Sequence, residues 1–311
     1  MSQNVPPSFQ VKFQNNVEMA VQQQQTPIER AGAVMIQEDR GMEKVKIKDI
    51  VGNTEAKESS GRHGKTKWNN RTYDGIWVPK TPELYDAALV DDEDQLQTAI
   101  QLGSTETMAA GGTLARARTR RFLEGFYGDV ITGKHGTITQ AMPSSQIIPV
   151  TVGGATGPQK NNLKKVREAK KLLDEAFVDK TKKRFMVCTA EDNDAWYDEI
   201  MAMSSDFQRS FGARTDDDGN VLAVLGFTMI HEELDNPLLS TIPDLATDAN
   251  GYRKTPFWVE GGLAANYWRR LRTRVGEIAE MEFSMGYLAG TTLTATRTQP
   301  EMSGIILNRK D

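Results

Sequence analysis

The chain has 311 residues, which is enough for one large domain or two ordinary ones. Its net charge of −4 argues against a dedicated nucleic-acid binder, because such proteins carry a basic patch on a basic domain. The single cysteine, Cys188, excludes an internal disulfide framework, and no apolar run reaches the ~18 residues of a membrane span, so we expect a soluble protein in a reducing compartment.

Residues 1–40 are expected to form an arm rather than a domain. A proline pair and a glutamine run are poor core formers, whereas Phe9 and the apolar residues after it favour docking on another surface. Such a segment frays unless it is tied down, so a disordered tail is the alternative. The first ten residues show no basic region followed by an apolar one, so no secretory signal is predicted.

Residues 43–79 are predicted to form a long β-hairpin. Val45 and Ile47 alternate with lysines, a period of two that indicates a strand, and residues 73–78 form the return strand. A lone hairpin is marginal in water, so we expect a neighbouring subunit to support it; a solvated, disordered insertion is the alternative. Between residues 44 and 74 there are eight Lys/Arg and four Asp/Glu, so the hairpin is net positive.

Residues 81–89 are interpreted as a hinge into a long helix over 91–128. That helix begins with acidic residues and ends with arginines, the polarity that the helix macrodipole prefers. Residues 92–127 would span about 54 Å at 1.5 Å per residue. Gly103 and Gly111-Gly112 each cost about 1 kcal/mol relative to Ala, so bends are predicted there, and two shorter helices with a Gly-Gly joint are the alternative.

A linker at 153–158 precedes a predicted small α/β unit. Its elements follow in the order helix, strand, helix, strand, strand, which indicates this class of domain. We predict helices at 163–177 and 192–203, and strands at 184–189, 221–230 and 257–259. From residue 266 the chain carries a dense arginine patch and then one or two long strands that reach Tyr287.

No motif predicts an active site. Gly128, Gly133 and Lys134 have the spacing of a phosphate-binding loop, but His135 stands where Ser or Thr must hold magnesium. The three histidines lie in different segments and offer no zinc spacing with one cysteine. The acidic turn at 216–218 lacks the further ligands of a calcium loop. We therefore expect a protein that is not an enzyme and that uses no cofactor and no metal.

Several short stretches, taken in order, match one family. They are Trp77-Val78-Pro79-Lys80-Thr81-Pro82 running into Asp91–Gln97, then Arg184–Tyr197, Val224-Leu225-Gly226-Phe227 and Arg272-Thr273-Arg274-Val275. With the arm, the basic hairpin and the long helix, this order resembles the major capsid proteins of tailed double-stranded DNA bacteriophages, which have the Hong Kong 97-type fold. The resemblance covers about residues 9–307.

The resemblance implies an α+β, Hong Kong 97-type architecture. Its parts would be an N-terminal arm at 1–40, an extended loop at 41–80, a peripheral domain at 81–150 and 266–311 with a spine helix at 91–128, and an axial α/β domain at 151–265. In that family the extended loop reaches over the adjacent subunit.

The implied function is that of a major capsid protein, which self-assembles as pentamers and hexamers into an icosahedral head enclosing double-stranded DNA. It would be a virion component assembled in the host cytoplasm. Its partners would be itself, packaged DNA and scaffolding, portal or decoration proteins, with no membrane. An encapsulin-like compartment shell and an intracellular α/β enzyme with an unrecognised site are the alternatives.

Two sets of charged residues follow as candidate sites. The positive hairpin is expected to lie on the acidic surface of the next subunit through these residues: Lys44, Lys46, Lys48, Lys57, Arg62, Lys65, Lys67, Asp91, Asp92, Glu93 and Asp94. Arginines expected on the inner wall, near packaged phosphate, are Arg116, Arg118, Arg120, Arg121, Arg269, Arg270, Arg272 and Arg274. Intramolecular pairing of these arginines with Glu277–Glu282 is the alternative.

Overall fold

The computed structural model describes residues 26–51, 56–58, 61, 65–69, 73–90, 102–154, 157–202, 212–281 and 284–310. Their strands form three sheets, and the long helix joins two of them. Most of the predicted arm, Arg62 and the acidic residues Asp91–Asp94 lie outside the described residues.

The first sheet has four strands, and a long antiparallel hairpin forms its centre. In spatial order its strands are β1 (Met35–Gln37), β13 (Leu263–Ile278), β14 (Ser284–Arg297) and β4 (Leu84–Val90). β4 pairs with β14 along its whole length, so the interpretation of residues 81–89 as a hinge is wrong. Side chains of β4 alternate between less and more exposed positions, which is the period of a strand at a sheet edge.

One helix, α2 (Leu102–Tyr127), packs across this sheet. Its 26 residues span about 39 Å and continue through Gly111-Gly112, so the predicted joint is absent there. Ala110 and Leu114 lie against Val275 and Ala289 of the sheet. Because packing supplies most of a helix's stability in a protein, contacts on both sides of the glycines offset their intrinsic cost. Residues 91–101 of the predicted spine lie outside the described residues.

The second sheet has seven strands and forms the α/β unit. In spatial order they are β7 (Ile147–Ile148), β15 (Ser303–Asn308), β12 (Arg253–Val259), β8 (Arg184–Cys188), β11 (Phe227–His231), β10 (Val221–Val224) and β9 (Arg214–Thr215). The predicted helices are α3 (Leu163–Glu175) and α4 (Ala190–Met201). A short helix, α5 (Ile242–Leu245), precedes β12.

This sheet is covered on both faces, as β8 shows. Its side chains are all buried: Phe185 and Val187 join the core that contains Phe122 and Phe126 of α2, whereas Met186 joins the core under α3 and α4. A strand buried on both faces has a continuous apolar run rather than an alternating pattern, and residues 185–188 form such a run.

The last strand, β15, pairs with β12 and β7 and therefore belongs to the seven-stranded sheet. β13 and β14, in contrast, form the sheet under α2. Residues 303–308 thus pair in a different sheet from β13 and β14, although all three strands were assigned to a peripheral domain at 266–311. The division into arm, loop, peripheral and axial parts remains a prediction.

The third sheet supports the base of the predicted hairpin. β2 (Lys44–Val51) and β3 (Tyr73–Pro79) pair antiparallel, and β5 (Val130–Thr132) and β6 (Ile138–Gln140) extend the sheet from β3. Trp77 donates a hydrogen bond from Nε1 to the Gly133 oxygen at 2.7 Å. Val45 and Val78 are buried against Trp268. Residues 130–140 of the same chain therefore support the base of the hairpin, and the expected support from a neighbouring subunit remains a prediction.

The described end of the arm also docks on its own chain. α1 (Pro27–Arg30) places Ile28 in the main core, and β1 runs parallel to β13. Trp258 donates a hydrogen bond from Nε1 to the Ala33 oxygen at 2.7 Å. Residues 26–37 are consequently part of the folded body rather than a tail.

Candidate subunit-contact and DNA-facing surfaces

The two predicted arginine clusters meet around one tyrosine. Arg118 of α2 donates a hydrogen bond from Nη2 to the backbone oxygen of Arg270 in β13 at 3.3 Å. Their guanidinium groups lie 5.8 and 5.6 Å from the ring centre of Tyr267. We call Arg118, Arg270, Tyr267 and Glu29 the Tyr267 cluster. Segments that are far apart in the sequence thus form one surface.

Tyr267 is held by an acid from the arm. Its hydroxyl donates to Glu29 Oε1 at 2.6 Å, and Arg118 Nη1 lies 3.6 Å from Glu29 Oε2. Burial first, and then the charge of Glu29, raise the pKa of Tyr267 above its ordinary range, so the hydroxyl stays protonated and donates. The cluster fastens α1, α2 and β13 together.

Six of the eight predicted arginines lie close to glutamates, but these glutamates are not the ones at 277–282 that the alternative named. Glu124 lies 3.6 Å from Arg120 and 2.8 Å from Arg121. Glu83 lies 2.9 Å from Arg272 and 4.0 Å from Arg269. The other two pairs are Arg118 with Glu29 and Arg270 with Glu38. Partners in the described residues thus come from positions 29, 38, 83 and 124 rather than from 277–282.

Arg116 and Arg274 are both exposed and differ from the other six arginines. Arg116 donates from Nη2 to Thr113 Oγ1 at 3.2 Å, and in the described part of the chain neither arginine has a carboxylate within 4 Å. Eight arginines against four glutamates leave a formal charge of +4 over the whole set.

Three of the hairpin lysines have contacts with neutral groups. Lys44 donates from Nζ to the Gly136 oxygen at 3.3 Å, and Lys57 donates to the Trp68 oxygen at 2.9 Å. The ammonium of Lys46 lies 5.8 Å from the ring centre of Trp77. Lys65 and Lys67 are exposed. The side chain of Lys48, together with Arg62 and Asp91–Asp94, lies outside what the structure describes, so the predicted pairing remains a prediction.

A buried ion-pair site in the α/β unit carries no sequence signal. Arg253 is 3% exposed and contacts Glu191 Oε2 and Asp235 Oδ2, each at 2.7 Å. Lys310 Nζ lies 2.7 Å from Asp235 Oδ1. Burial alone would raise the pKa of Asp235, but hydrogen bonds from Lys310 and Arg253 lower it, so the carboxylate stays charged. This site joins α4, β12 and the segment after β15.

A second buried polar chain runs from α3 to α4. Lys165 donates from Nζ to Asn308 Oδ1 at 2.9 Å, and Asn308 donates from Nδ2 to Thr255 Oγ1 at 2.8 Å. The Thr255 hydroxyl lies 3.3 Å from Asp192 Oδ2. Burial lowers the pKa of Lys165 to about 8 and raises the pKa of Asp192. Positions 165, 192, 255 and 308 form no motif, so a single sequence cannot reveal this group.

The weak ligand motifs have ordinary structural roles. Gly133 and Gly136 lie in the turn between β5 and β6, next to Trp77. At the acidic turn, Gly219 donates its backbone N–H to the Asp216 oxygen at 3.0 Å. Among the described residues, no three His, Cys, Asp or Glu side chains are grouped so that they could hold a metal. None of the described helices is long and apolar enough to cross a membrane.

Comparisons with known structures identify the fold. The capsid of cyanophage P-SCSP1u is similar over 89% of this chain and 87% of its own, with a TM-score of 0.65 and 11% identity. The capsid of Ralstonia phage GP4 gives a TM-score of 0.64 and 10% identity over 89% and 87% of the two chains. Mycobacterium phage Che8 gives 0.55 and 15% over 98% and 92%. The α+β, Hong Kong 97-type fold is confirmed.

A family model described as phage capsid protein matches residues 5–310, so the chain belongs to the phage capsid protein family. A comparison with curated proteins gives no match. The chain is a major capsid protein and a structural component of the virion, and copies of it assemble into an icosahedral shell. The encapsulin-like alternative is not favoured.

Proposed function

We propose that this capsid protein encloses double-stranded DNA in a head built of pentamers and hexamers, and that its hairpin lies over a neighbouring subunit. The observation that supports the hairpin contact is that the hairpin lysines lack the nearby carboxylates that most of the arginines have. Most of the predicted arginines have an acid of their own chain nearby, whereas in the described residues Lys44, Lys57, Lys65 and Lys67 have no carboxylate within 4 Å.

Charge balance supports an acidic partner surface for the hairpin. Residues 44–74 carry eight basic and four acidic side chains, a net charge of +4, and the whole chain carries −4. The remainder therefore carries −8, so a second copy offers an excess of carboxylates. Asp91–Asp94 is the densest acidic run in that remainder and is the surface we assign to the hairpin.

An exposed aromatic side chain on the hairpin adds to this proposal. The side chain of Trp68 is 84% exposed, and the backbone oxygen of the same residue accepts a hydrogen bond from Lys57. Tryptophan is among the residues that contribute most to protein interfaces, because it removes a large apolar area from water. A contact that covers Trp68 and places the lysines on carboxylates would use both features.

The arginines are proposed to face the packaged DNA as a weak, sequence-independent lining. Half of their formal surplus of +4 lies at the exposed Arg116 and Arg274, and the other six arginines share four nearby glutamates. Contacts of this kind bind phosphate without reading sequence and weaken as salt rises. Scaffolding, portal and decoration proteins, and assembly in the host cytoplasm, belong to the same proposal.

Two measurements test it. The chain is expressed alone and examined by size-exclusion chromatography and negative-stain microscopy, where shells or capsomers are expected. Particles made during infection are treated with nuclease and their contents analysed; protected double-stranded DNA is expected. A well-ordered monomer of ~35 kDa, or native particles that hold protein and no DNA, would contradict the proposal.

A further inference from the structure

The two helices that cover one face of the seven-stranded sheet carry opposite charge. Residues 160–183, the segment that contains α3, have nine Lys/Arg and four Asp/Glu, a net charge of +5. α4 has five Asp/Glu and no Lys or Arg, a net charge of −5. One unit of the chain therefore presents two surfaces of opposite sign.

Much of this charge is exposed and lacks an opposite charge nearby. Arg167, Lys182 and Lys183 are exposed, and among the described residues none of them has a carboxylate within 4 Å. On α4, Asp194 and Asp198 are exposed and have no cation within 4 Å in the part of the chain that the structure describes. Like charges four residues apart destabilise a helix, and a cation from another molecule would offset this.

An exposed aromatic side chain accompanies the basic surface. Phe177 follows α3, is 96% exposed and has a φ of 54°, in the left-handed region that favours glycine. Its backbone N–H donates to the Asp174 oxygen, and that of Val178 donates to the Leu173 oxygen, each at 3.2 Å, so this conformation ends the helix. A phenylalanine here strains the backbone and gains no burial in its own chain. Burial against another molecule accounts for its presence.

The two surfaces lie over different parts of the sheet. α3 contacts β7 and β15 at one side of the seven-stranded sheet, whereas α4 contacts β8 and β10, towards the other side. Copies set side by side in the same orientation can therefore pair the basic surface of one with the acidic surface of the next. Such a head-to-tail contact can close into a ring, whereas a contact between two identical surfaces ends at a dimer.

We propose that the basic surface at α3 binds the acidic surface at α4 of the next copy in each pentamer or hexamer. The inference rests on the rings of the proposed function and assigns the surfaces that hold them together. Arg167, Lys182 and Lys183 pair with Asp194 and Asp198 of the next copy, and the same contact covers the ring of Phe177. Packaged DNA also attracts cations, but it would leave the acidic surface and Phe177 without a partner.

Charge reversal in the full chain tests the contact. Asp194→Lys with Asp198→Lys makes both surfaces basic, and Arg167→Glu with Lys182→Glu makes both acidic. Each pair of changes is expected to raise the protein concentration needed for shell assembly at low salt at least about tenfold, because like charges then meet. All four changes in one chain are expected to restore assembly.

The matched control reverses two other exposed acids of the chain. Asp244→Lys with Glu301→Lys changes the net charge as much as the reversal on α4 does. This control is expected to assemble as the wild type does. An equal loss of assembly in the control and in the α4 variant would show that net charge alone matters, and it would overturn the proposal.

A mixture of the two reversed variants tests the head-to-tail geometry. Copies with two basic surfaces and copies with two acidic surfaces satisfy every contact only when they alternate around a ring, so the ring must have an even number of members. Negative-stain microscopy is therefore expected to show hexamers and their flat or tubular assemblies, and few closed shells, since closure needs pentamers. Closed shells that form as readily as in the wild type overturn the proposal.

Phe177→Gly separates the contact from folding, so the test holds even where a charge-reversed chain does not fold. Glycine removes the strain of the positive φ, so the unfolding midpoint of the unassembled subunit is expected to rise. Assembly is nevertheless expected to need at least about tenfold more protein, because the aromatic ring is lost from the contact. A higher midpoint with unchanged assembly overturns the proposal.

The outcomes distinguish this inference from the proposed function. Wild-type heads that hold DNA, together with normal assembly of both reversed variants, overturn the contact between α3 and α4 and leave the proposed function intact. Normal assembly with lower DNA retention in Arg167→Glu with Lys182→Glu assigns the basic surface to DNA and also overturns the contact. A wild-type chain that remains a monomer overturns both.

Discussion

Arg118 donates a hydrogen bond to the backbone oxygen of Arg270 at 3.3 Å, although 152 residues separate them. Both guanidinium groups lie near the ring of Tyr267, and each has a glutamate of its own, Glu29 or Glu38, which offsets the repulsion between the two positive charges. Six of the eight predicted wall arginines therefore have a carboxylate of their own chain nearby. Arg116 and Arg274 remain as the positions where a charge can act on something else.

Neutralising Arg116 and Arg274 together is expected to lower DNA retention. The double change to glutamine removes two of the four surplus positive charges, so DNA should leave opened particles at lower salt than in the wild type. DNA released across a salt series from heat-opened heads measures this. The matched control is Arg121→Gln, whose charge is already paired with Glu124 at 2.8 Å. Unchanged release in the double variant would end the proposed lining role.

Reversing Asp91–Asp94 to lysine is expected to slow or abolish shell assembly at low salt. The hairpin would then meet like charges on the next subunit, and such contacts are unfavourable. Light scattering measures the rate and extent of assembly. Changing Lys65 and Lys67 to glutamate in the reversed variant is expected to restore part of the lost assembly. Reversal of the exposed acidic turn at 216–218 serves as the control, since it reverses three acidic residues where the first variant reverses four. Normal assembly of the first variant rules out this pairing.

Gly125→Ala is expected to destabilise the subunit by about 1–3 kcal/mol, because it overpacks the contact between α2 and β14. A Cβ at Gly125 would lie 2.3 Å from the Ala295 backbone oxygen and 2.7 Å from the Ala295 Cβ. Chemical denaturation measures the free energy of unfolding. Gly276→Ala adds the same methyl group in β13 with nothing within 4 Å, and it should change stability far less. Equal effects of the two changes would contradict this account.

Glu232→Gln is expected to stabilise the protein above pH 7 and to have little effect near pH 4. Burial first, and then Glu233, raise the pKa of Glu232 from 4.5 to about 7. The folded chain therefore binds an extra proton between these values, so this carboxyl costs stability increasingly as pH rises from 4.5 to 7. With partial exposure the gain at pH 8 is about 2 kcal/mol.

Thermal unfolding midpoints of wild type and Glu232→Gln, measured from pH 4 to pH 8, test the effect. Glu260→Gln, at an exposed position, controls for the loss of one surface charge. The unfolding midpoints of the wild type and of Glu232→Gln should agree at low pH and differ above neutrality. A constant difference across the whole range would show that Glu232 does not titrate as expected.

Local patterns were enough to predict the elements whose burial follows their own periodicity. The alternation at Val45 and Ile47 predicted β2, and the apolar run at 185–188 predicted β8. The helix through Gly111-Gly112 was harder to predict, because what offsets two glycines is the contact of Ala110 and Leu114 with β13 and β14. That contact depends on strands more than 150 residues away in the chain.

The candidate sites show the same limit. Residue type and clustering singled out the arginines, and the structure brings two of their segments together at Tyr267. Their partners could not be read from sequence, because Glu29 and Glu83 come from segments far from the arginines they contact. The hairpin was predicted from its alternation, but its support by β5 was not, since a strand of three residues leaves little pattern.

The insertion of β15 between β7 and β12 has a consequence for biosynthesis. The strand pairing of the seven-stranded sheet cannot be completed until residues 303–308 have left the ribosome, because β12 and β7 have no direct pairing with each other. A nascent chain that stops before this point displays an open edge of β12. The α/β unit therefore completes its folding after translation has passed residue 308, and a truncated copy lacks the strand that joins β7 to β12.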